Sequence, residues 1–202
     1  MEKHAVIRDY FPLSFATLEP KAGYARPTQV LAESVTLDDP APEVMTDLQS
    51  TTAVIILPGD TVDEAHRRMI QRGVRLLLVV DQNRSVLGVI TATDILGEKP
   101  VQFAVQRGLQ RGDVQVRDIM TPQERLEVLD LADVRAAKVG HIVATLQKAG
   151  RQHAVVTERN AHGRQTVRGL FSLTQIARQL GVSIQTSEVA RTFSEIEAML
   201  AR

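Results

Sequence analysis

Four short segments of this chain occur twice, in the same order. PEVMTD at 42–47 is answered by RDIMTP at 117–122, QRG ending at Gly73 by KAG ending at Gly150, LLVVD by HAVVT, and VLGVIT by VRGLFS. The separation between equivalents grows from 75 residues (Met45 to Met120) through 77 (Gly73 to Gly150) to 81 (Gly88 to Gly169), which puts the insertions in loops and leaves the elements intact. Duplication of one structural unit explains such an order better than chance does.

Each copy reads β-α-β-β-α. In the first, TTAVIILPGD is a strand closed by a Pro-Gly turn, and TVDEAHRRMIQRG is a helix with Val62, Ala65, Met69 and Ile70 at helical spacing and Gly73 as its stop. Thr61 and Glu64 have the spacing of a capping box. VRLLLVVD and SVLGVI are strands around the turn DQNR, and a second helix opens at Thr91. The second copy has a longer lead into its helix and a longer hairpin loop, ERNAHGRQ. The chain is therefore divided into a proline-rich extended arm (1–41), a first unit (42–100), a connector (101–116), a second unit (117–182) and a C-terminal amphipathic helix (183–202) with Val189, Phe193, Ile196 and Leu200 on one stripe. The fold class is α/β (α+β).

Composition narrows the function. Lys plus Arg and Asp plus Glu balance at 24 each, and aromatics are 3% of the 202 residues, which argues against nucleic acid as a partner by charge and by stacking alike. Arg107, Arg111 and Arg117 on the connector read as a solvated face. The longest apolar runs, AVIIL and LLLVV, fall far short of the roughly 20 residues that span a bilayer. With no cysteine and no signal-like start, a soluble cytoplasmic protein without a membrane partner is expected. No phosphate-binding or nucleophile motif is present, and His4, His66, His141, His153 and His162 lack the spacing of a helical metal site, so neither an enzyme nor a metal protein is expected.

Chemistry concentrates where the last strand of each copy gives way to a helix, at Thr91-x-x-Asp94 and Ser172-x-x-Gln175. Helix capping is the commoner reason for such a pattern, and by that reading Ser-x-x-Gln suits the box better than Thr-x-x-Asp, whose carboxylate is short. A ligand would use the same positions: a threonine hydroxyl at a helix N-terminus can donate to phosphate, and a carboxylate one turn on can accept from both hydroxyls of a ribose. Glutamine forfeits the charge-assisted pair, which leaves Ser172 and Gln175 as the weaker second site. Positive charge for phosphate would come from Arg75, Arg151, Arg168 and His153, the last expected to titrate near neutral pH.

The duplicated unit, with VMT and IMT ahead of the copies, LLLVVD in a central strand and GVITATDIL at the close of the first copy, resembles a tandem pair of cystathionine-β-synthase-type (CBS) domains over roughly residues 42–182. The resemblance implies two units packed pseudo-symmetrically through their sheets, with two clefts for an adenosyl ligand such as AMP, ADP, ATP or S-adenosylmethionine. It assigns phosphate to Thr91, with Ala92 beside it, ribose to Asp94, and adenine to Val54, Leu78 and Ile90. It also implies a regulatory module without a catalytic cofactor, a homodimer, and an unidentified regulated protein. The competing reading is an oligomeric scaffold in which Thr91 and Asp94 only cap a helix.

Overall fold

The computed structural model describes residues 31–160 and 163–182. Most of the expected arm and the expected C-terminal helix lie outside the described residues. The first repeat supplies β1 (Thr46–Asp47), β2 (Ile55–Ile56), α1 (Val62–Arg72), β3 (Leu76–Val80), β4 (Val86–Thr91) and α2 (Ala92–Leu96), and α3 (Lys99–Arg107) and α4 (Val116–Ile119) lead onward. The second repeat supplies β5 (Thr121–Pro122), β6 (Val128–Asp130), α5 (Leu131–Ala136), α6 (Val139–Ala149), β7 (His153–Arg159), β8 (Gln165–Ser172) and α7 (Leu173–Leu180). The longer lead of the second copy is thus a pair of helices. Among the described residues no helix is long and apolar enough to cross a membrane.

Local chemistry sets the helix ends. Thr61 caps α1 by accepting from the Glu64 amide at 3.2 Å, and Gly73 closes it with φ 64°, a left-handed conformation that glycine adopts without strain. The reciprocal half of the box expected at Thr61 does not form, because Glu64 turns to Arg67 at 2.7 Å and Arg68 at 3.3 Å.

The run LLLVV is apolar throughout because β3 is buried on both faces. Leu77 and Val79 enter a core with Ile56, Val62, Met69 and Ile90, whereas Leu76, Leu78 and Val80 meet Val89 and Val155 between the two sheets. At roughly 1.5–3 kcal/mol for each large apolar side chain buried, this middle layer holds the repeats face to face. A third core, around Phe171, Ile142 and Leu146, lies in the second repeat and takes in Val35, Ala41, Val44 and Met45 from the segment ahead of β1.

The sheets are β2-β3-β4-β5 and β1-β8-β7-β6, so each repeat lends its leading Met-Thr strand to the other's sheet. Thr46 pairs with Leu170 and Asp47 with Gly169, while Thr121 pairs with Val89 and Pro122 with Gly88. The repeated glycine admits the visiting strand. A Cβ on Gly88 would stand 2.2 Å from the Thr121 carbonyl oxygen, and one on Gly169 would stand 2.6 Å from the Met45 sulfur.

Backbone cannot yield as a thioether can, so the two glycines should differ in tolerance. Gly88→Ala is expected to destabilise the protein by about 3 kcal/mol or more, and Gly169→Ala by about 1–2 kcal/mol as Met45 changes rotamer. Urea denaturation of the two variants checks the order; equal losses would contradict it.

Candidate functional site

The sheet packing leaves two clefts related by the pseudo-symmetry of the repeats. The first, about 230 Å³, is lined by Thr91, Thr93 and Asp94 of the first repeat, by Arg151 and His153 at the start of β7, and by Thr121, Arg125 and Glu127 from the segment that crosses to β4. Leu76 and Val89 give it an apolar wall, and Lys99 closes one side. The second, about 240 Å³, is the same arrangement with the repeats exchanged: Ser172, Thr174 and Gln175 face Arg75 and Leu76, with Thr46 of the crossing strand beside them.

The two helix N-termini behave oppositely to the expectation from side-chain length. Thr91 and Asp94 form a complete capping box: Thr91 Oγ1 accepts from the Asp94 amide at 3.2 Å, and Asp94 Oδ2 accepts from the Thr91 amide at 2.9 Å. The Thr91 hydroxyl also donates to Oδ2 at 2.7 Å. Its single proton is thereby committed, so Thr91 has none to offer a phosphate in this arrangement. Ser172, expected to make the better box with Gln175, makes no side-chain cap at all, and Gln175 Nε2 is buried without a hydrogen-bond partner.

Asp94 nonetheless faces the cleft. It is 8% exposed, its Oδ2 is held by Thr91, and its Oδ1 meets the Lys99 ammonium. One side chain thus caps α2 and lines the cleft.

Other anticipated residues separate. Val54 and Leu78 line a hollow elsewhere on the inter-sheet layer, with Arg68, Arg72 and Arg84, and do not meet Asp94. Ile90 is 0% exposed in the first core, because strand alternation turns it away from the inter-sheet face on which Val89 lies. Ala92 packs on that core and gives its amide to the Arg75 carbonyl at 2.9 Å. Arg75 serves the second cleft, 3.4 Å from Thr174 Oγ1. Arg168 reaches neither cleft; it pairs with Asp47, donates to Gln49 at 2.8 Å and lies 3.3 Å from Glu158, pinning β1 onto β8. Arg151 does line the first cleft, bound to Glu127 at 2.7 Å. Missed from the sequence were Lys99, Thr121, Arg125 and Glu127. Of these only Thr121 carried a signal, as part of the repeated Met-Thr.

His153 stands between the clefts and lines both. Burial, reinforced by the Arg75 cation and opposed by Asp94, pushes its pKa down to about 4, so it is neutral at pH 7 and does not titrate near neutrality as anticipated. Its Nδ1 is buried without a hydrogen-bond partner. Among the described residues no group of three or more His, Asp or Glu side chains could hold a metal ion.

This fold, two mixed sheets that exchange leading strands around a pair of clefts, is that of a CBS-domain pair. Residues 43–100 match the family model of the CBS domain, and the chain carries a CBS domain there. An uncharacterized conserved protein from Pyrococcus horikoshii shares the fold at 22% identity and TM-score 0.53, over 75% of this chain and 99% of that one. CBSX2 from Arabidopsis thaliana, solved in complex with AMP, is similar at 20% identity and TM-score 0.49, over 69% and 94%. The CBS domain pair of protein MJ0100, solved with 5-methylthioadenosine and S-adenosyl-L-methionine, is similar at 18% identity and TM-score 0.49, over 71% and 97%. No curated protein matches the sequence significantly.

The depressed His153 pKa has a measurable consequence. The unfolded histidine, near 6.5, binds a proton that the folded one refuses until about pH 4, so folding stability is lost as pH falls between those values. Denaturant titrations between pH 7 and pH 4 should show a flatter loss in His153→Leu than in the parent protein. An identical slope would show that His153 is not responsible.

Proposed function

We propose that the chain is a regulatory module that binds an adenosyl ligand, of the AMP, ADP, ATP or S-adenosylmethionine type, in the first cleft. Occupancy is passed to a protein partner by a change in shape or affinity. The observation that carries the reading is the placement of the Asp94 carboxylate in one cleft with apolar Leu76 and Val89 and with the cations Arg125 and Arg151, the latter paired with Glu127. An apolar slot for a base, an anionic acceptor for a sugar and cations for phosphate are what such a ligand needs together. At about 230 Å³ the cleft is small against the ~300–1,000 Å³ of typical ligand sites, so a nucleotide would fill it and project to its mouth.

Within this reading Asp94 accepts from ribose through Oδ1, and Arg125 and Arg151 meet phosphate in place of Thr91. His153 contributes a neutral polar edge and no charge. The second cleft, with Gln175 for Asp94, is the weaker site for a ribose. The module is not an enzyme and works as a cytoplasmic homodimer; exposed Ile70 on α1 and Val101 and Val105 on α3 support self-association.

The completed capping box supports the scaffold reading as well, since it gives Thr91 and Asp94 a structural task that needs no ligand. Thermal unfolding with AMP, ATP or S-adenosylmethionine at a hundred times the dissociation constant separates the two: a binding module gains about 2.7 kcal/mol and a scaffold gains nothing. By calorimetry Asp94→Ala should lower affinity tenfold or more, the worth of one charge-assisted hydrogen bond pair, while Gln175→Ala changes it less than about twofold.

A further inference from the structure

Lys99 is the first residue of α3, five positions after Asp94. Gly97 makes the turn between α2 and α3 tight, since a Cβ there would lie 2.8 Å from the Thr93 carbonyl oxygen, and the chain comes back on itself with Lys99 at the cleft edge. The Lys99 ammonium pairs with Asp94 Oδ1, the carboxylate oxygen that Thr91 leaves unused. The partners are unequal: the Asp94 side chain is 10% exposed and that of Lys99 55%. The acid is fixed by the capping box, and the lysine is a long flexible stem reaching in from solvent with three donors at its tip.

This places two demands on one oxygen. Thr91 supplies both hydrogen bonds to Oδ2, so a ribose that offers two hydroxyls to Asp94 must compete with Lys99 for Oδ1. Once displaced, the ammonium stands in a cleft that also holds Arg125 and Arg151, and since the Glu127 carboxylate there is already paired with Arg151, an added cation without a partner is unfavourable. An anionic group on the ligand removes that conflict and a neutral ligand does not.

We propose that Lys99 is an internal counter-ion that Asp94 exchanges for the ligand's sugar, and that the freed ammonium moves to the ligand's phosphate, making Lys99 the residue that sets preference for phosphorylated over unphosphorylated adenosyl ligands. The inference rests on the nucleotide reading above and deepens it. The second cleft lacks the device: Gln175 carries no charge to pair, and the residue five positions after it is Leu180.

Calorimetric titration of the full chain with AMP and with adenosine tests the exchange. The Lys99 half of the pair is more than half exposed, and solvent weakens the attraction, so Lys99→Ala should bind adenosine about two- to fivefold more tightly than the parent protein does, as the competitor is gone. The same variant should bind AMP about tenfold more weakly, having lost a charge-assisted hydrogen bond. The ratio of the two dissociation constants therefore shifts by more than tenfold. Lys99→Gln, which keeps most of the side chain's length, should show the same shift and serves if the alanine variant folds poorly. An unchanged ratio, or both ligands weakened by the same factor, overturns the role of Lys99 and leaves the nucleotide reading standing. Parent protein that binds neither ligand removes both.

Discussion

The whole arrangement depends on each repeat's leading strand crossing to the sheet of the other, at a point where only a glycine leaves room. At Gly88 the visiting carbonyl of Thr121 occupies the space of a side chain, and at Gly169 the Met45 thioether does. The exchange locks the repeats together and also composes the clefts. Each cleft joins the strand-to-helix turn of one repeat to the first central-strand residues and the crossing segment of the other. Neither repeat alone contains a complete cleft.

Pseudo-symmetry in the backbone does not extend to charge. The first cleft holds a buried carboxylate with a lysine counter-ion, and the second holds an uncharged amide facing Arg75 and Arg178. His153 lies at the boundary, kept neutral by burial and by Arg75. The two halves of one fold therefore present different electrostatics to a solute, which is how duplication can yield unequal sites without any change of architecture.

In Asp94 a helix cap and a cleft-lining carboxylate are the same group. A carboxylate has two oxygens, and here Oδ2 closes the helix while Oδ1 faces the cleft. The cap holds the side chain in one orientation, and that rigidity is what a ligand acceptor needs. Helix stability and site geometry rest on the same side chain.

Much of the architecture was legible in the residues. Repeated segments, helical spacing in Val62 to Ile70 and glycine stops at Gly73 and Gly150 are local signals, and the unbroken apolar run in β3 records burial on both faces. The motif at Thr91 and Asp94 was legible for a similar reason, since capping geometry is set within one helical turn. What lies across the cleft was not. The crossing strands, the neutral state of His153, the capture of Arg168 by Asp47 and the return of Lys99 to Asp94 each pair or bury groups through contacts that the chain's order alone does not disclose. Sequence by itself determined the repeats and the elements within them, because those follow from short-range propensity and periodicity. Tertiary structure alone decided which residues share a cleft and with what charge, because that depends on packing two sheets together and on the desolvation that packing imposes.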